Sequence, residues 1–382
     1  MRPEIEEKPE IVFIRKTLRV DNNPLLEGIK EVVFLGGEYE FQGFPFKNCS
    51  HSNYKSFYQD TVKRLISNLE KKDIKTNIFN SIEDLEAYVQ HKQVRMEKLS
   101  GEYESHLENR LNKVCDIEFI KNTNYLLNDE DNVLEKSKNK MGFSFFRKKF
   151  EKLAIVRNNH FEENTSDNES LQAYKDYLNS KAPLTYFETR NAFIGDNFST
   201  RLSDKLNLGQ ISPQSVISLL ENFESEYGSN KSTYWIKFEL LWREYFYWLY
   251  QVHFEEFFQS QGLNGGGFSL PMIDENEYLE KMNTHELIEC MNKELMQTGF
   301  LSNRSRQIYV SYLVHGTDLD WRYGAWFFQN YLKDYDLYSN WGNWLYGSGY
   351  GTDARGPRYF KISKQLKQYD SDNKYLEYWK KR

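Results

Sequence analysis

Cysteine is scarce: three in 382 residues, and Cys49, Cys115 and Cys290 stand too far apart for metal-ligand spacing. This argues against a zinc site or an iron–sulfur cluster and fits a reducing compartment. No apolar run reaches the ~20 residues of a membrane-spanning helix, and residues 1–10 lack the apolar core of a secretory signal. A soluble, cytoplasmic monomer with no membrane partner and no metal is expected. An excess of positive charge is also missing, since 50 Lys and Arg face 56 Asp and Glu, a net charge of −6. Whole-chain charge therefore does not advertise nucleic-acid binding, although phosphates respond to the local field. Residues 350–382 supply a local patch, with nine Lys and Arg against four acids.

Aromatic residues, by contrast, are abundant. They make up 16% of the chain and concentrate towards its C-terminal part, which holds all eight Trp. The length allows two domains, each with a core of its own. Residues 11–14 (Ile-Val-Phe-Ile) and 32–35 (Val-Val-Phe-Leu) have the composition of buried parallel strands. Apolar positions at helical spacing over 54–72 and a third strand candidate, Ile74–Phe79, follow. Alternation of strand and helix predicts a doubly wound α/β domain over 8–125. Residues 84–114, charged and helically periodic, are expected to form one or two exposed helices. A polar connection over 126–172 contains Met141–Lys152, whose aromatic and basic residues suggest a short docking helix. From 173 to 382 the pattern is helical, and Tyr234–Phe254 is apolar nearly all round, which predicts a central buried helix. Gly265–Gly267 marks a loop.

Three clusters carry chemistry. Asn197–Ser203 places three hydroxyls and Arg201 ahead of an apolar helix, an arrangement that suits an anion and equally an ordinary helix cap. Glu239, Trp242 and Arg243 lie on the buried helix, where Glu239 and Arg243 are spaced for an i,i+4 ion pair. A carboxylate inside such a helix is costly without a purpose or a partner. In the third cluster Arg304 and Arg306 precede Asp320-Trp321-Arg322, then Asp334 and Asp336, then Asn340-Trp341-Gly342-Asn343-Trp344. A buried Arg306 needs a carboxylate, and Asp334 is available.

The strings TRNAFIGDNFSTRLS (189–203), YWIKFELLWREYF (234–246), TGFLSNRSRQ (298–307), DWRYGAWFF (320–328) and DYDLYSNWGNW (334–344) resemble the flavin-binding half of the cryptochrome/photolyase family. Thr189-Arg190-Asn191 and Tyr346 are most similar to the cryptochrome-DASH branch, and Ile14–Leu25 is similar to the family's opening motif. The resemblance implies an α/β N-terminal doubly wound domain followed by an all-α domain that binds FAD. It implies that Tyr186, Arg190, Ser199, Thr200, Arg201, Leu202 and Ser203 hold the pyrophosphate and its surroundings, with Arg243 and Asn303 along the cofactor. Arg306 would pair with Asp334, Asp336 would accept hydrogen bonds from the flavin's polar edge, and Asn340 would face ring nitrogen N5. An amide there cannot supply a proton as a carboxylic acid would, which resembles the repair members.

The implied activity is light-driven repair of cyclobutane pyrimidine dimers in UV-damaged DNA by an electron from reduced FAD. Glu239 would stabilise the lesion's charge, Trp242 and Tyr346 would stack on it, and Gln307 would border it. The positions where the (6-4) branch places two histidines are Asn303 and Gln307. Trp344 and Trp321 match two members of the family's electron-transfer chain, and the third falls near Phe268 and Ser269. The short front domain leaves little room for an antenna, and the altered stretch Tyr278–His285 reduces the rim, as in compact single-strand-specific relatives. Single-stranded DNA is therefore the expected partner. The alternative is a blue-light photoreceptor with the same flavin.

Overall fold

The computed structural model describes residues 9–36, 52–128, 131–136, 142–156, 168–264, 270–271 and 273–382. Gly265–Gly267, Phe268, Ser269, Cys49 and Met141 lie outside the described residues. Strands β1 (Ile11–Phe13), β2 (Glu31–Leu35) and β3 (Lys75–Phe79) form where the apolar runs predict them. Two more, β4 (Gln93–Glu97) and β5 (Asp116–Ile120), complete a parallel sheet of order β3-β2-β1-β4-β5. Helices α1 (Ser52–Glu70), α2 (Ile82–Val89) and α3 (Glu102–Leu111) make the crossovers. The architecture is the expected doubly wound one.

The expectation of helices alone over 84–114 is corrected by β4. This strand shows no apolar run because two of its five residues are buried charges. Arg95 pairs with Glu118 at 2.7 Å and donates to the Leu25 and Glu27 carbonyls. Glu97, fully buried, accepts from the backbone N–H groups of Arg15, Lys16 (2.9 Å) and Thr17 (2.6 Å). Such a run of N–H groups ordinarily holds an anion. It lies between β1 and β4, the switch point where open α/β sheets take ligands, so a side chain of the sheet itself fills that crevice. Arg15 is held in turn by Glu108 at 3.0 Å, both buried.

The sheet's two faces pack differently. Phe13, Val33 and Leu35 meet Leu85, Val89, Leu107 and Leu111. On the other face Val12, Ile14, Val32 and Phe34 join α1 in a core continuous with the helical part. The helices that follow the sheet are α4 (Val133–Lys136), α5 (Phe143–Val156), α6 (Glu169–Asn179), α7 (Tyr186–Thr189), α8 (Ser203–Asn207) and α9 (Pro213–Tyr227). After them come α10 (Lys231–Val252), α11 (Glu275–Met282), α12 (Glu286–Thr298) and α13 (Asn303–Gly316). Helices α14 (Trp321–Tyr331), α15 (Leu337–Ser348), α16 (Ile362–Tyr369) and α17 (Lys374–Lys380) close the chain. None of the described helices is long and apolar enough to cross a membrane.

Helix α10 is the central one, as its all-round apolar sequence predicts. Asn230 and Thr233 close its start in a reciprocal capping box, and Leu241, Tyr245 and Trp248 are at most 1% exposed. Two of its charged residues reach outward to backbone. Arg243 donates to the Asn124 carbonyl at 2.6 Å, and Glu244 accepts from Leu126 N at 2.7 Å. The segment leaving the sheet is thereby fastened to the helical core.

Burial raises the Glu244 carboxyl to about 7, against the opposing Leu126 N–H and Arg243. Its folded value thus lies above the ordinary 4.5, so folding takes up a proton between those two pH values. Stability from this group is greatest below pH 4.5, falls as pH rises towards 7, and stays reduced above. Glu244→Gln should match wild type near pH 4.5 and exceed it at pH 8 by about 1 kcal/mol or more. Urea denaturation at the two pH values checks this, and an equal difference at both contradicts it.

Candidate active site

The predicted site residues lie on the 186–207 segment, on α10, α13, α14 and α15, and in the turn before α15. Asp334, with a side chain 1% exposed, receives Arg306 Nη2 on both oxygens at 3.0 and 2.8 Å. Arg306 sits in the first turn of α13 and also donates to the Leu301 carbonyl at 3.0 Å. Asp336 caps α15 by accepting Ser339 N at 3.0 Å. Asn340, one turn further on, donates its amide to the Ala325 carbonyl at 2.9 Å, which leaves its oxygen as the available acceptor.

The segment from 199 to 207 is bound to this acidic turn by Asn207, which donates to the Tyr335 carbonyl at 2.7 Å. Helix α8 starts without a side-chain cap, and Ser203 at its head is exposed. Arg201 adopts a left-handed φ of 51° and lies over the Phe300 ring at 3.7 Å, while Leu202 is buried beneath. Asn207, Arg243 and Asp336 open together on a cleft shared with Lys16, Lys98 and Tyr125. The Arg243 guanidinium lies 4.4 Å from the Tyr125 ring centroid.

The i,i+4 pair between Glu239 and Arg243 does not form. Glu239 is paired with Arg190, a residue assigned by sequence to the cofactor, and Arg190 lies 4.1 Å over the Trp235 ring. Tyr186 is buried nearby. Desolvation raises the Glu239 pKa and Arg190 opposes the shift. A third of the Glu239 side chain is nevertheless exposed, so the carboxyl is desolvated by its neighbours and still accessible. Trp242, on the same helix, meets Tyr346 edge to face, with ring centroids 5.1 Å apart at 73°. The Tyr346 hydroxyl accepts from Arg355 at 3.1 Å and Arg358 at 3.3 Å. On α13, Asn303 is exposed and Gln307 is half-buried one turn later.

Trp344 is 1% exposed and packs against Phe328 and Tyr309, with centroids at 5.2 and 6.3 Å. A Cβ at Gly324 would run into the Trp344 ring, so glycine is required there. Trp321, also buried, donates its indole N–H to the Ser260 carbonyl at 2.9 Å. Its ring neighbours are Trp341 at 5.7 Å and Tyr350 at 6.5 Å, the latter 38% exposed. Trp341 leads on to the half-buried Trp326 at 5.2 Å.

Sequence reasoning missed three members of this region. Asn207 sits inside a helix with no local signal. Trp341 was one ring among many. Phe143 stacks face to face on Trp242, with centroids 3.6 Å apart at 6°; the aromatic run at 143–146 marked a docking helix but not its target.

Residues 235–381 match the family model described as the FAD binding domain of DNA photolyase. The cryptochrome DASH of Idiomarina loihiensis is 41% identical over 205 residues, 53% of this chain and 46% of that protein. The chloroplastic/mitochondrial cryptochrome DASH of Arabidopsis thaliana is 42% identical over 196 residues, 51% of this chain and 34% of that protein. The matched part of the chain thus spans less than half the length of these curated relatives. A Synechocystis cryptochrome superposes with a TM-score of 0.81 at 26% identity, covering 97% of this chain and 88% of that one. A class III photolyase from Agrobacterium tumefaciens shares the fold at a TM-score of 0.76 and 19% identity, covering 98% and 88%.

FAD is accordingly the cofactor of this domain, and the residues present fit it. Asn207 Oδ1, Arg190 Nε and Trp344 Nε1 are buried without a partner among the described residues, one acceptor and two donors at the borders of the site. Asp334 and Asp336 offer acceptors for ring N–H groups, and hydroxyls with Arg201 suit a pyrophosphate.

Removing Asp334 strands the Arg306 guanidinium. A fully buried pair broken this way costs about 3–5 kcal/mol; because the Arg306 side chain keeps 27% exposure, Asp334→Ala should cost about 2 kcal/mol. It should also lower the flavin retained on purification. Full yellow colour with an unchanged Tm would contradict this placement.

Proposed function

As the chain carries the FAD-binding domain of the photolyase/cryptochrome family, we propose that it splits cyclobutane pyrimidine dimers in DNA with light, favouring single strands. The observation that supports this best is the aromatic wedge of Trp242 and Tyr346 beside the accessible, desolvated carboxyl of Glu239. Flat apolar walls with a polar group near by suit two stacked pyrimidines whose carbonyl edges need a partner.

Reduced FAD, when bound, supplies the photoexcited electron donor. Around it Ser199, Thr200, Arg201, Leu202 and Ser203, with Tyr186, would hold the pyrophosphate region, and Arg243 and Asn303 would line the cofactor. The Arg306–Asp334 pair orients one acid, and Asp336 accepts from the polar edge. Asn340 would present an amide oxygen to N5, which accepts a hydrogen bond and has no acidic proton to give. Glu239, with its raised pKa, donates a hydrogen bond to a lesion carbonyl when protonated, and Arg190 stabilises it when ionised. Gln307 borders the lesion. Trp344 and Trp321 form the inner part of an electron path, which leaves the protein through Tyr350 or through Trp341 and Trp326. The division into an α/β part (8–125), a connection (126–172) and a helical domain (173–382) belongs to the same proposal.

Blue-light repair of one thymine dimer in matched single- and double-stranded oligonucleotides tests this reading at fixed salt. Faster repair of the single strand at sub-saturating substrate is expected, because flipping a base out of a duplex costs a few kcal/mol. Glu239→Ala should lower repair per absorbed photon more than it weakens dimer binding in the dark, since the charge it stabilises arises only after electron transfer. Equal losses would falsify that role.

Trp344→Phe should abolish light-driven reduction of the bound flavin yet spare repair after chemical reduction, because recharging and repair use separate routes. Undiminished photoreduction would show that electrons enter elsewhere.

A further inference from the structure

Helix α5 has two faces. Phe143, Phe146, Phe150 and Ala154 are at most 8% exposed and pack inward, with Phe143 stacked on Trp242. Outward it presents Lys148, Lys149 and Lys152, all exposed, and Phe145, 52% exposed. Among the described residues no carboxylate stands within ion-pair distance of these three lysines. The helix's one acid, Glu151, is engaged by Arg147 at 3.8 Å and by the Tyr234 hydroxyl. A chain of net charge −6 thus gathers exposed cations on the helix that backs its aromatic wedge.

The surface continues past the wedge. At the start of α5, a Cβ on Gly142 would lie 3.9 Å from the Thr352 carbonyl. The adjoining turn carries Arg355 and Arg358, which bond the Tyr346 hydroxyl and are anchored by Asp353. Burial raises the Asp353 carboxyl, but its bonds to Arg355 and Arg358 outweigh that and hold it at about 2. This anchor stays ionised at neutral pH. Cations therefore flank the wedge on both sides.

We propose that the outer face of α5 is a binding surface for single-stranded DNA. Lys148, Lys149 and Lys152 contact the phosphates, and Phe145 stacks on a base next to the lesion. Lysines with an exposed ring between them are what sequence-tolerant strand binding requires: point charges along a backbone and a flat face for any base. The Lys149 ammonium already lies 5.4 Å from the Phe145 ring centroid. Phe143, on the opposite face, stacks on Trp242, so the helix that holds the strand also borders the wedge. The inference rests on the dimer-repair reading for its substrate, but strand binding itself is measured without light or repair.

The test is fluorescence anisotropy in the dark with a labelled sixteen-residue oligothymidylate, with and without a central cyclobutane dimer, over a salt series. Combined Lys148→Ala, Lys149→Ala and Lys152→Ala should weaken both oligonucleotides about tenfold and reduce the salt slope by about 2, three contacts at ~0.7 each. The preference for the dimer should stay within about twofold of wild type, and flavin content and Tm should not change. Phe145→Ala should weaken both about fivefold with the salt slope unchanged. A control removes Lys71, Lys72 and Lys113, exposed residues that precede β3 and β5 and so lie at the amino-terminal edge of the sheet. It should cost less than about twofold. Affinity and slope unchanged in the α5 triple variant, or an equal loss in the control, would overturn the inference. A wild type that binds both oligonucleotides alike, with the α5 losses intact, would leave the strand surface standing and sink the dimer reading. A wild type that binds neither would sink both.

Discussion

A charged side chain inside a helical core must find a partner or cost several kcal/mol, and α10 carries three charged residues in six positions, one fully buried and two partly so. Glu239, Arg243 and Glu244 cannot pair with one another in this geometry and reach three separate parts of the chain. Glu239 draws in Arg190 and so fixes the 186–190 turn. Arg243 takes the carbonyls of Asn124 and Leu206, which joins the exit from the sheet to the segment proposed to hold the pyrophosphate. Glu244 fastens the next two peptide N–H groups at 126 and 127. The relative placement of sheet, 186–207 segment and central helix therefore follows from the need to satisfy one fully buried charge and two partly buried ones.

Aromatic residues fill the space those bonds define. Small residues let the rings close up: Gly324 admits Trp344, and a Cβ at Gly342 would strike Phe246. The rings are large but individually nondirectional, and their edge-to-face contacts, each worth about 0.5–1.5 kcal/mol, set orientation once the helices are placed. Trp242 shows the division of labour. Its backbone position belongs to α10, its ring plane is set by Phe143 and Tyr346, and part of it stays exposed.

The amino-terminal sheet reverses the usual economy of its fold. At the point where strand order reverses, a doubly wound sheet ordinarily offers backbone N–H groups to a ligand. Here Glu97 occupies them, Arg15 and Glu108 support the arrangement, and the opposite face of the sheet merges with the helical core. The sheet packs on the helical half, and the candidate site gathers around α10, α13 and α15.

Much of this was legible in the residues. Three strands, the all-round apolar central helix, the Arg306–Asp334 pair and the ordered motifs of the helical half all follow from local pattern, because each rests on periodicity or on complementary charges that a buried site cannot leave unmatched. The strands β4 and β5 were not legible, since Arg95 and Glu97 interrupt any apolar run and only their cross-strand and loop partners explain them. Neither was the partner of Glu239: spacing on one helix favoured Arg243, and the choice of Arg190 depends on a turn some fifty residues earlier in the chain. Phe143 on Trp242 and Asn207 on the Tyr335 carbonyl belong to the same class. By itself the sequence determined the elements, the residue types of the site and the need for each charge to be paired. Only the tertiary structure decided which charge meets which and which rings stack, because those choices lie between segments distant along the chain, where no local periodicity acts.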